Sequence, residues 1–115
     1  MKYDLEKRTI DFSKSVIDLC KKTKPNYLNL NIINQLLRSA TSVGANYREA
    51  NGASSKSDFR NKIHLSKKEI KETQYWLELL SESLENKDVI NKVSKEAHEL
   101  ALIFNKISST LKINN

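Results

Sequence analysis

Two glycines, one proline and one cysteine are all that this 115-residue chain has of the residues that most often bend or cross-link a fold. So few turn formers argue against the many tight connections of an all-β architecture and favour a few long helices. The lone Cys20 excludes an intramolecular disulfide and suits a reducing compartment; near a helix end it reads as a small hydrophobe. No apolar run approaches the ~20 residues of a membrane span. The opening Met1-Lys2-Tyr3-Asp4 is charged and lacks the apolar stretch of a secretory signal. A cytoplasmic protein without membrane contact is expected, built as a single domain over residues 1–115, a length that buries a real core.

What the chain does have is charge and periodicity. Twenty basic against 14 acidic residues leave a net +6, which attracts polyanions such as RNA or DNA and is also common among proteins that bind neither. Four segments carry helical spacing. Leu5, Thr9, Phe12, Val16 and Leu19 step by 4, 3, 4, 3 and predict a first helix over Asp4–Lys22, broken before Pro25. Ile33, Leu36, Ala40, Val43, Tyr47 and Ala50 predict a second over Leu28–Ala50. Gly44 inside it costs about 1 kcal/mol against alanine, which a close helix crossing would explain.

Asn51-Gly52-Ala53-Ser54 is the clear loop signal, and Ser55 with Asp58 fits a capping box. A third helix follows over Lys56–Leu84, its stripe running from Phe59 through Ile63, Ser66, Ile70, Thr73, Leu77 and Leu80 to Leu84. Asn86 is a plausible cap for a fourth helix, striped from Ile90 to Leu111, with Asn114-Asn115 frayed. Sustained 3–4 spacing and short connections predict an all-α, antiparallel, up-down-up-down four-helix bundle. Apolar residues off the stripes (Ile10, Ile17, Leu37, Leu65, Trp76, Leu79 and Ile103) must cover bundle flanks or build a subunit interface.

The third helix has three faces. Leu65, Glu69, Glu72, Trp76 and Leu79 lie on one flank of the core stripe, and Arg60, His64, Lys67 and Lys71 on the other. On the second helix Gln35, Arg38, Ser39, Ser42, Asn46 and Glu49 stand beside the apolar stripe. Charges so near a core need partners, since an unpaired buried charge costs several kcal/mol, roughly. Pairing the two helices about their loop puts Arg38 near Ile70, Ser42 near Ser66 and Asn46 near Lys62, within reach of Glu69 and Glu72. This seam is either a satisfied network that fixes helix register or a polar pocket. The basic flank is either a solvated face or a stripe that tracks phosphates, with no interleaved exposed aromatics to read bases.

Other constellations fall away. Di-iron bundles need Glu-x-x-His pairs, but Asn61 precedes His64 at that spacing and Lys95 precedes His98, so no metal and no cofactor are expected. Nothing arranges serine, histidine and acid as a triad, so no catalytic residue is assigned. The segment from Gly52 to Ser57 superficially resembles a phosphate loop but lacks its glycines and its preceding strand; simple capping accounts for it better than an anion beside Lys56.

The run from Gln35 through Arg38, Ser39, Ser42, Val43, Ala45, Asn46, Tyr47 and Glu49 resembles the signature of the four-helix-bundle proteins of 23S ribosomal RNA intervening sequences. So do Ser55, Asp58 and Phe59, and then Lys68, Glu69, Glu72, Tyr75, Trp76 and Leu77. The accessory variability proteins of diversity-generating retroelements are similar at greater distance. The resemblance implies a homo-oligomeric ring, typically a pentamer, a nucleic-acid role and no established enzyme activity. It also implies recurring polar positions at Arg38, Ser42, Asn46, Glu49, Glu69, Glu72 and Tyr75. The expectation is therefore a non-enzymatic oligomeric bundle that contacts RNA or DNA through Lys56, Arg60, His64, Lys67 and Lys71 without sequence readout. The rival is a protein–protein scaffold or accessory subunit with no direct nucleic-acid contact.

Overall fold

A computed structural model of the chain describes residues 4–113, so the expected fraying of Asn114-Asn115 lies outside the described residues. Four helices follow in order: α1 Leu5–Lys22, α2 Leu30–Asn51, α3 Lys56–Ser81 and α4 Asp88–Ile113. Asp4 caps α1, its Oδ1 accepting from the Lys7 amide at 3.0 Å. Ser55 caps α3 in the same way, accepting from the Asp58 amide at 3.0 Å.

Two boundaries differ from the predicted ones by more than one residue, each for a local reason. α2 starts at Leu30 rather than Leu28 because two asparagines claim the preceding backbone. Asn26 Oδ1 accepts from the Leu28 and Asn29 amides, while Asn29 Oδ1 accepts from Asn26 and its amide group donates to the Lys24 carbonyl. α3 stops at Ser81, although its apolar phase continues to Leu84. Leu84 still packs against the core, but from a run of i→i−3 turns. Lys87 Nζ donates to the carbonyls of Ser81 at 2.6 Å and Leu84 at 3.2 Å, closing that helix end.

The pairings establish the topology. Glu6 near the start of α1 meets Arg48 and Asn51 at the end of α2. Lys62 early in α3 meets Glu49 late in α2, and Thr73 meets Ser39. Arg60 and His64 share a cleft with Ser108 and Lys112 of α4. Successive helices are thus antiparallel. Arg8 ties α1 to α4 through Glu96, at 2.7 Å, and Glu99, at 2.9 Å.

The core is the predicted stripes turned inward: Phe12, Val16, Leu36, Ile63, Ile70, Leu77, Leu100 and Phe104 are all buried. Tyr47 stands edge-on to Phe104, with ring centroids 5.8 Å apart. Gly44 lies where α1 crosses α2. A Cβ there would sit 3.0 Å from Thr9 Oγ1 and 3.1 Å from Thr9 Cβ, so the glycine sets how closely the helices approach.

Candidate nucleic-acid interface

Both flanks of α3 carry charge, but the structure treats them differently. On the α2 side Arg38 spreads its guanidinium over three acceptors. Nη1 lies 3.2 Å from Glu69 Oε2, Nη2 hydrogen-bonds Glu72, and Nε reaches Gln35 Oε1 at 3.3 Å. Glu72 also accepts from the Trp76 indole N–H at 3.1 Å. That indole, followed by Arg38, holds the Glu72 carboxyl below its ordinary range against the opposing effect of burial.

These charges rim the bundle instead of lying inside it. The Arg38 side chain is 46% exposed and Glu72 35%. The buried polar groups of the seam are hydroxyls. Ser66 donates to the Val43 carbonyl at 2.9 Å, and Thr73 Oγ1 lies 2.9 Å from Ser39 Oγ while donating to the Glu69 carbonyl. Four residues expected in one network with the Arg38 side chain have other partners. Ser42 donates back to the Arg38 carbonyl at 2.7 Å and Asn46 to the Ser42 carbonyl at 2.9 Å, both within α2. A small side chain on a helix finds its own preceding turn before it can span to a neighbour. Tyr75 is exposed, with its ring 5.0 Å edge-on from Trp76. Glu49 pairs with Lys62 at 2.8 Å, a separate bridge between the same two helices.

The α4 side of α3 carries Arg60, His64, Lys67 and Lys71, with Lys56 at the helix start. Lys56, His64 and Lys71 are exposed, Arg60 and Lys67 half-buried. Among the described residues no carboxylate lies within salt-bridge distance of Lys56, Lys67 or Lys71, whereas Arg8, Arg38, Arg48 and Lys62 each have one. α4 adds Ser108 and Lys112 across a shallow cleft from Arg60 and His64. Sequence reasoning missed these two, because α4 offers only periodicity until its register against α3 is known. Phe59, placed in the core stripe, does pack against the core. Phe59 is only half-buried and lines a neighbouring cleft with Lys56 and Arg60.

Chemically, the stripe offers positive charge, an imidazole and a hydroxyl, which is what a phosphate backbone needs. Among the described residues no three His, Cys, Asp or Glu side chains group to hold a metal ion. Burial pushes the Cys20 thiol above its ordinary range, away from the reactive thiolate. Among the described residues no helix is long and apolar enough to cross a membrane.

A comparison with curated proteins returned no match. A crystal structure of a protein of unknown function from the S23 ribosomal protein family of Bacteroides thetaiotaomicron superposes with a TM-score of 0.80 at 31% identity, covering 91% of this chain and 98% of that one. Residues 1–106 match the family described as 23S rRNA-intervening sequence protein. The chain therefore belongs to the 23S rRNA-intervening sequence protein family.

Proposed function

We propose that this protein is a non-enzymatic, cytoplasmic, self-associating bundle that binds RNA or DNA through the α4-side flank of α3, without reading sequence. The observation that carries the proposal is the contrast between the two flanks. Cations on the α2 side are matched by carboxylates, while Lys56, Lys67 and Lys71 are left to an outside anion. Lys56 to Lys71 spans about 22 Å along the helix at 1.5 Å per residue, a length that follows several phosphates. The family's description, which names 23S rRNA, is in keeping with such a partner.

The test is fluorescence anisotropy with labelled RNA and DNA duplexes across about 50–200 mM salt. The wild-type protein should lose affinity steeply as salt rises. Lys67→Glu with Lys71→Glu should bind at least about tenfold more weakly and flatten the salt slope by about 2. No binding at low salt, or binding indifferent to salt, refutes the reading.

Self-association, with a ring of five as the resemblance implies, has its support in exposed apolar side chains. Ile10, Ile17 and Leu102 are 36%, 37% and 54% exposed, more than a monomer gains from showing. Light scattering at several concentrations tests it. A scaffold reading is favoured by one observation: the Asn26–Asn29 frame holds Tyr27 and Leu28 out in solvent at 91% and 72% exposure. A protein partner that stays bound after nuclease treatment, and is lost in Tyr27→Ser with Leu28→Ser, would support it.

A further inference from the structure

The basic flank does not end at Arg60. Two clefts meet there. One contains Arg60, His64, Ser108, Leu111 and Lys112. The other, about 570 Å³, lies at the α2–α3 connection; it is walled by Ala50, Ala53, Phe59 and Leu111 and edged by Lys56 and Arg60. Arg60 and Leu111 belong to both. A polymer lying along Lys71, Lys67 and His64 is therefore led past Arg60 into a concavity with an aromatic ring in its wall. The volume is within the ~300–1,000 Å³ range of small-molecule sites. Asn51, Ser54 and Ser55 give the cleft a polar side, while Ala53, Phe59 and Leu111 offer an apolar wall that suits the face of a base, and Lys56 at its edge can take the phosphate attached to that base.

We propose that this cleft receives one unpaired base of the bound polynucleotide, stacked against Phe59, so that the protein prefers single-stranded ends or bulges to blunt duplex. The inference rests on the proposed backbone-binding role of the α3 flank. Phe59 stacks and excludes water; Lys56, Lys67 and Lys71 hold phosphates. A base on a phenyl ring is recognised by its π-face, so the preference is for an unpaired nucleotide and not for a particular base, in RNA and in DNA alike. A paired base presents no free face, which is why blunt duplex gains from the stripe alone.

The experiment uses the full chain and two probes of about 12 nucleotides, a single strand with a terminal 2-aminopurine and a blunt duplex of the same sequence. Each is made in RNA and in DNA. Wild-type protein should bind the single strand more tightly and change its 2-aminopurine fluorescence. Phe59→Leu keeps an apolar side chain of similar bulk against the core and removes the ring. It should weaken single-strand binding roughly tenfold, abolish the fluorescence change and leave duplex affinity within about twofold. Ala53→Leu, which fills the cleft without adding charge beside Lys56 and leaves the Phe59 ring in the chain, should give the same selective loss, so a folding defect in either variant does not blunt the test. An undiminished single-strand preference in both variants, or equal losses on both probes, overturns the inference. Duplex binding that survives with its salt slope intact while the single-strand preference is absent overturns the cleft alone; loss of all binding at low salt in the wild type overturns the backbone-binding role.

Discussion

Replacing Glu72 by alanine removes two interactions of different kinds, and their geometry sets the magnitude. The first is the ion pair with Arg38. With the arginine 46% and the glutamate 35% exposed, water screens it to within about 1 kcal/mol. Arg38 is not stranded either, because Glu69 still lies 3.2 Å from Nη1. The 3–5 kcal/mol typical of an uncompensated buried charge therefore does not apply. The second is the hydrogen bond from the Trp76 indole at 3.1 Å. Trp76 is half-buried against the core, and losing its acceptor costs about 1 kcal/mol. The total is about 1–2 kcal/mol, which at this chain length lowers Tm by about 4–8 °C. Glu72→Gln keeps an acceptor for the indole and should recover much of that. Glu85→Ala, in the exposed α3–α4 turn, should stay within about 0.5 kcal/mol of wild type.

The same variants carry a pH signature. Glu72 has a folded-state pKa below its ordinary 4.5. Its contribution is fully present above that value and is lost as pH falls through the lower folded value, where the carboxyl protonates in both states. Thermal melts by circular dichroism should show the wild-type advantage over Glu72→Ala shrinking only below about pH 4.5. Equal melting temperatures for Glu72→Ala and Glu85→Ala at neutral pH would refute the pairing of α2 with α3 through this residue.

Gly44→Ala should destabilise by about 1 kcal/mol even though alanine is the better helix former, because its methyl meets Thr9; a higher Tm would show that the α1–α2 crossing has slack. Arg8→Met should lower stability by about 1 kcal/mol in urea melts, a modest loss because the Arg8 and Glu96 side chains are about 30% exposed, and no change would show that α1 docks without this clamp. Ile17→Glu should shift light-scattering mass towards the monomer while leaving the monomer's helicity intact, and an unchanged mass would move the assembly surface elsewhere.

The bundle was legible because its helices keep one rhythm: residues 3 and 4 apart are apolar or, as at Thr9, small enough to bury, from Leu5 to Leu19 and from Ile90 to Leu111. What escaped was set by interactions that periodicity does not encode. α3 ends before Leu84 because Lys87 and a turn close it while the apolar phase runs on. The Asn26–Asn29 frame delays α2 through side-chain bonds that compete with a helical turn. Counting back from the loop puts α2 and α3 in nearly the right register. Ser66 hydrogen-bonds the carbonyl of Val43, next to Ser42, and Lys62 reaches Glu49, three residues on from Asn46. Ser42 and Asn46 bond to their own preceding turn, while Arg38, with its longer reach, finds both glutamates.

Side-chain reach also explains why the two flanks of α3 diverge in charge balance. Facing α2, long cations meet long acids across an antiparallel pair, and the charges cancel where they stand. Facing α4, Lys67 and Lys71, with Lys56 at the helix start, have no carboxylate within salt-bridge distance among the described residues. The helix thus has one flank that closes electrostatically inside the molecule and one that does not. Under the proposed function, repeated anions at a spacing a helix can follow close the second, and a polynucleotide backbone has both properties.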